Sequence, residues 1–347
     1  MPGVRPLTNA SPRLAAFDGL RGLAALAVAL SHAAALVYVP WGHMPATHMQ
    51  FALWHLGAPS VDLFFVLSGW VIARSLQRDP AFWPYLARRA ARLLPVAYLA
   101  VGLGFAVRGL AVRAGPDFSV LVTHDLRAAL TASDVIGMLT VSFPALHANA
   151  LMPPLWSLVV EVQVAPLMPL ITRATRSCWA VVGFAVLGVL LALRGWEQAV
   201  FFPLFALGAW ASRLQWRLSQ RAATLALLLG LAVLLQRHLT GSDFVLVRYL
   251  TAPGAALVLL AVQAGAARPF LTHPWAQALG RVSYPLYATH FPVLLAGGVA
   301  TSRVGFSPLL GAALALPVAL VLAWGVHVRL ERPFQPHPVD LGPVRHA

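Results

Sequence analysis

FDGLRGLAALAVALSHAAAL, residues Phe17 to Leu36, decides the fold. At a rise of about 1.5 Å per residue, such a run forms a helix of roughly 30 Å, the thickness of a hydrocarbon core. Runs of the same kind recur as far as Val328, bounded by Arg, Pro and Gly. They predict about ten spans, near 17–39, 57–77, 93–112, 153–172, 179–195, 199–215, 222–236, 244–264, 276–299 and 305–328. In lipid only helices and closed barrels satisfy their own backbone groups, and these unbroken runs lack the alternating pattern of a barrel. The expected fold is an all-α integral membrane protein with its transmembrane helices in one bundle.

Composition agrees. The 347 residues are 59% hydrophobic and 10% charged, where soluble domains carry about a quarter of charged residues. A formal charge of +14 in a soluble chain would suggest phosphate backbones. Here every basic residue is Arg, clustered between apolar runs on alternate sides, as the positive-inside rule describes for cytoplasmic loops. Nucleic acid is therefore not an expected partner; membrane lipids are. The Arg imbalance predicts both termini in the cytoplasm, with a cytoplasmic segment 1–16, a membrane domain 17–334 and a cytoplasmic tail 335–347. No cleavage pattern follows the first apolar run, so it reads as a true span. Cys178 has no intramolecular partner for a disulfide or a thiolate metal motif, and no metal is expected. Residues 115–154 form the longest break and read as an outer-surface helix or a re-entrant piece.

Ionisable residues at membrane depth cost several kcal/mol unless they face the bundle interior and find partners. In the first span Arg21 and His32 are eleven residues apart, within about 20° of one face and roughly 16 Å in depth, with Asp18 before them. A buried histidine donating to a carbonyl, and a snorkelling Arg21, are the plain alternatives. The second span carries Asp62 at its outer entry, where an N-cap is the equal alternative, and Ser68 beside Gly69, which also suit close packing. Arg88, Arg89 and Arg92 follow, with Arg88 and Arg92 expected on one helical face. Their guanidinium forks suit phosphate, although topology or lipid headgroups would explain them equally. Glu161 lies about two turns into an otherwise neutral helix beside Trp156, Ser157 and Gln163. Ser283, Tyr287 and His290 share one face of the ninth span, with Tyr284 expected to turn away from them and Pro285 and Pro292 distorting the helix.

Arg21-x10-His32, VDLFFVLSG (Val61 to Gly69), RRAARLLP (Arg88 to Pro95), WSLVVE (Trp156 to Glu161), SYPLYATH (Ser283 to His290) and LERPF (Leu330 to Phe334), in this order, resemble the membrane acyltransferase family 3. That family includes bacterial O-acetyltransferases of cell-surface glycans. The resemblance covers nearly the whole chain and implies a ten-helix bundle passing an acyl group, usually acetyl, from acyl-CoA on the cytoplasmic side of the inner membrane to a hydroxyl of a glycan, lipid-linked sugar or similar acceptor. It implies that Arg21 and His32 are the essential pair, that Arg88, Arg89 and Arg92 meet the coenzyme A phosphates, and that Glu161 is the acid of the fourth helix. Ending soon after LERPF, the sequence resembles the form without an esterase-like domain.

Acyl transfer to a hydroxyl needs a base and a stabilised oxyanion. A histidine suits the first task, worth about 10²- to 10⁴-fold. On this reading His32 is the base, Glu161 or Asp62 orients it or positions the acceptor, and Arg21 holds the donor or counters developing charge. Trp156, Ser157, Ser283, Tyr287, His290, Asp18 and Ser68 are the candidates for substrate contact. A proton-coupled secondary transporter is the competing class, because inward His, Glu and Arg on Pro- and Gly-containing helices describe carriers too.

Overall fold

The computed structural model describes residues 12–38, 48–111, 118–119, 122, 131–132, 136–137, 140, 153–214, 216–236 and 247–334. The expectation for residues 115–154 falls largely outside these, as do most of the two terminal segments. Within them the chain is helical: α1 (Pro12–Ala35), α2 (His48–His55), α3 (Gly57–Arg78), α4 (Phe82–Ala111), α5 (Leu155–Val164), α6 (Met168–Ala174), α7 (Cys178–Leu193), α8 (Phe202–Ala211), α9 (Gln220–Leu234), α10 (Val247–Gln263), α11 (Arg268–Leu271), α12 (Pro274–Ser302) and α13 (Pro308–Val326). No described residue is in a strand.

Each of the ten expected spans coincides with a helix, but not every helix is a span. Among the described residues four segments are long and apolar enough to cross a membrane: His48–Arg78, Phe82–Val107, Leu155–Ala174 and Pro308–Phe334. α7, α9 and most of α10 are apolar but shorter. α8 has 10 residues, about 15 Å, or half a hydrocarbon core. Its five preceding residues, Glu197–Phe201, are a 3₁₀ turn. α1 and α12, with 24 and 29 residues, are long enough but carry the polar groups of the site. The expected ten crossings are thus ten helical segments of unequal reach.

Boundaries differ from those expected. α1 is already helical from Pro12, the first described residue of the segment, ahead of the expected Phe17. α4 starts at Phe82 and runs unbroken through Pro95, so Arg88, Arg89 and Arg92 sit inside the long helix and not ahead of it. Pro166 and Pro169 divide the fourth segment into α5, a 3₁₀ turn over Ala165–Leu167, and α6.

Outward faces are apolar. Leu314, Val318 and Val321 on α13 are exposed, as are Val182, Val186 and Leu190 on α7 and Leu225, Leu228 and Leu229 on α9. Water would penalise such surfaces and lipid does not. Inside, one large apolar cluster joins α1, α3, α8 and α10 through residues such as Phe65, Phe205 and Leu259. A second joins α4, α5, α12 and α13 through Val96, Val159 and Phe291. Trp156 packs against both, and the seam between them carries the site.

Small residues set the helix spacing there. A Cβ on Gly22 would strike the backbone of Leu279 and Gly280, and one on Gly280 would strike Asp18. α1 and α12 can therefore lie backbone to backbone, which suits association in a medium that gives no hydrophobic drive. Gly69 of α3 and Gly208 of α8 serve the same close approach against Phe205 and Val66.

Candidate active site

A cleft of about 850 Å³, open mouth included, opens on the seam. Val61, Phe65 and Leu67 of the first cluster form one wall, and Leu93 and Leu158 of the second form the other. Its polar lining is Arg21, Ser68, Arg89, Arg92, Ser157, Glu161, Ser283, Tyr284 and Tyr287. Three cations therefore face one lining carboxylate.

Every one of these cations is anchored. Arg21 Nε donates to Ser283 Oγ at 2.8 Å, and its Nη2 reaches the Gly280 carbonyl at 3.2 Å and Asp18 Oδ1 at 3.1 Å. Asp18 thus holds Arg21 from the rim. Arg89 is paired with Glu161, whose Oε1 also accepts from Ser68 Oγ at 3.4 Å. Arg92 Nε lies 3.6 Å from Glu331 Oε1. Arg88 departs from expectation: it turns to Asp79 at 2.7 Å and does not line the cleft. The arginines that share the cavity are Arg89 and Arg92, three residues apart, not Arg88 and Arg92. The hydrogen bond from Arg88, with that from the Ala81 N–H, holds the exposed Asp79 carboxyl below the ordinary carboxylate range.

Glu331 is a residue that motif reading quoted without giving it a role. It is 1% exposed and sits in a π-helical turn, His327–Glu331, where its Oε2 lies 2.7 Å from His327 Nδ1. π turns favour functional sites because they re-aim a side chain. Here the turn aims a carboxylate from the end of the chain at Arg92. Tyr284 is the second correction. It faces the cleft with Ser283 and Tyr287, and its hydroxyl donates to the Leu93 carbonyl at 2.6 Å.

At the other end of the cleft, the Tyr287 and Ser157 hydroxyls meet at 2.5 Å. The Tyr287 ring lies 6.3 Å from the His290 ring, and His290 Nε2 is 3.1 Å from His32 Nδ1. His32 Nδ1 is also 3.1 Å from the Val28 carbonyl, and His290 Nδ1 is 2.9 Å from that of Leu286. Neutral rings satisfy these contacts when each carries its proton on Nδ1. His290 Nε2 then accepts from His32, and the His32 Nε2 lone pair has no hydrogen-bond partner among the described residues. His32 keeps some accessible surface, while His290 is fully buried.

Neither expected acid orients His32. Glu161 is engaged by Arg89 and Ser68. Asp62 is fully buried, off the cleft lining, and accepts from Thr251 Oγ1 at 3.0 Å. Its neighbours Val61 and Phe64 face the cleft, so the helical turn sends Asp62 toward α10. Trp156 packs edge-on to Phe65 and tilted against Phe201, behind the lining. No group of three or more potential metal ligands occurs among the described residues.

The model of an acyltransferase domain family matches residues 14–328. The chain belongs to the membrane acyltransferase family 3. The match embraces both clusters, the cleft and the histidine pair, so an acyl-transferring membrane enzyme is the activity to which the arrangement answers, and the transporter alternative has no support from it. No curated protein and no solved structure matches the acyltransferase.

Proposed function

We propose that this acyltransferase moves an acyl group, acetyl by family resemblance, from acyl-CoA to a hydroxyl of a glycan, lipid-linked sugar or similar acceptor. It would act as a multi-pass protein of the bacterial cytoplasmic membrane with both termini inside. The observation that supports this most is that Tyr287, which lines the arginine-containing cleft, stands with its ring 6.3 Å from that of His290, whose Nε2 lies 3.1 Å from His32 Nδ1, although neither histidine lines the cleft itself. A phosphorylated, thioester-bearing donor needs cations at one end and a base at the other.

In this reading Arg89 and Arg92 contact donor phosphates, and Arg21 counters negative charge on the reacting carbonyl. The acceptor oxygen attacks the thioester carbon as its proton passes to His32 Nε2. The C–S bond then breaks, and the thiolate leaving group takes up a proton. His290 acts as a positioning residue, fixing the His32 tautomer from behind. Glu161 keeps Arg89 and Ser68 in register rather than touching the base.

The direct test is release of free coenzyme A from acetyl-CoA by detergent-purified protein, with a cell extract as the source of acceptor. Release by the native enzyme that is lost in His32→Gln supports the reading. A native enzyme that binds acetyl-CoA and never releases coenzyme A under any acceptor supply overturns it.

A further inference from the structure

A second cleft, of about 680 Å³ with its mouth, is lined by Leu76 and Gln77 at the end of α3, by Pro80, by Pro169, Thr172 and Arg173 of α6, and by Arg176 and Arg213. Its three guanidiniums differ from those of the first cleft. Arg21, Arg89 and Arg92 each have a carboxylate partner, whereas Arg173, Arg176 and Arg213 form no ion pair among the described residues. Asp79, next to the lining residue Pro80, is already engaged by Arg88. Arg213 Nη2 donates to the Thr172 carbonyl at 2.6 Å, which pins its guanidinium at the cleft and leaves other N–H groups to donate. Thr172 also lines the cleft, is 6% exposed, and its buried Oγ1 has no hydrogen-bond partner among the described residues. A buried hydroxyl without a partner is uncommon in a folded protein.

We propose that this second cleft binds a phosphate group carried on a larger molecule, held by Arg173, Arg176 and Arg213. Uncompensated like charges repel, and a tetrahedral oxyanion relieves that repulsion while matching the guanidinium forks bidentately. A topology signal alone requires positive loops; it does not require that three arginines share one concavity. The open mouth leaves room for a phosphate that is the head of a larger molecule. Along α3, Leu76 lies five residues beyond Val71 of the first cleft, about 7.5 Å of helical rise. Two sources share this chemistry: a water-soluble phosphate ester and the headgroup of an acidic phospholipid.

The two sources separate on two probes. Purified protein is titrated calorimetrically with adenosine 3′,5′-bisphosphate, and lipid adducts are measured by native mass spectrometry with dioleoyl phosphatidic acid against dioleoylglycerol, which differ by the phosphate alone. Arg173 and Arg176 are exposed and make no side-chain hydrogen bond or ion pair among the described residues, so R173Q/R176Q should insert and elute as the native protein does, and R173K/R176K retains the charge. The expected result is a loss of at least about tenfold in affinity in the Gln variant for one probe, with partial recovery in the Lys variant. Loss for the bisphosphate assigns a soluble ester, and loss for phosphatidic acid assigns a lipid. Failure of the native protein to bind either phosphate probe, or equal binding by the Gln variant, overturns the site. Coenzyme A release is followed in parallel: phosphate binding that depends on these arginines in a protein without transfer activity leaves this site standing and removes the proposed reaction.

Discussion

The proposed role of His32 as the base rests on two features that lie far apart in the sequence. Its Nδ1 is taken by Val28 and by His290, 258 residues away, which leaves Nε2 to accept a proton. His32→Gln keeps a hydrogen-bonding side chain but no base, so turnover should fall at least about 100-fold with acyl-CoA affinity retained. His290→Phe should act more mildly, lowering kcat between about 10- and 100-fold with little change in KM, as loss of orientation does. Equal damage in both variants would make the pair a single catalytic unit. The arginines give a sharper contrast, because Arg88 is turned outward to Asp79. Arg89→Ala and Arg92→Ala should raise the KM for acyl-CoA, while Arg88→Ala should leave it within about twofold. A steady-state titration of donor concentration separates these outcomes. Motif reading found all three arginines, but could not find that one of them faces away.

Among the elements, α3 and α8 meet through Gly69 and Gly208, and that contact lets α3 present Val61, Phe64 and Ser68 to the cleft. Gly208→Ala would push the added methyl into the Val66 carbonyl, at a cost of about 1–3 kcal/mol. Thermal unfolding in detergent should register it as a lowered Tm, and an unchanged Tm would mean that the two helices can separate without loss. Helical periodicity identified α3 readily but not its neighbour across the glycines. The π turn at His327–Glu331 is the other element-scale feature. Glu331→Gln keeps the shape and removes the charge facing Arg92, and should raise the KM for donor more than it lowers kcat. A change confined to kcat would place Glu331 in the chemical step instead. LERPF was visible in the sequence as a motif, while its π geometry and its reach to Arg92 were not.

For the whole molecule, apolar outer faces and a polar seam are what a bundle in lipid requires, and the arginine asymmetry is the basis of the proposed orientation. A reporter fused after Ala347 should be active only in the cytoplasm, and activity restricted to the other side would reverse the proposed orientation. Reporters inserted on each side of α8 would show whether this 10-residue helix crosses or dips. By itself the sequence determined that the chain is helical and membrane-embedded and in which stretches its helices lie, though not their ends, and it marked most of the ionisable groups that turn inward. Lipid penalises each stray polar atom, so that information is local and strong. The tertiary structure alone decided that Glu161 meets Arg89, that Glu331 meets Arg92, that Asp62 goes to Thr251, and that His290, not an acid, stands behind His32. The helical period gives the direction in which a side chain points, but the partner it finds depends on how helices distant in sequence rotate and close against one another.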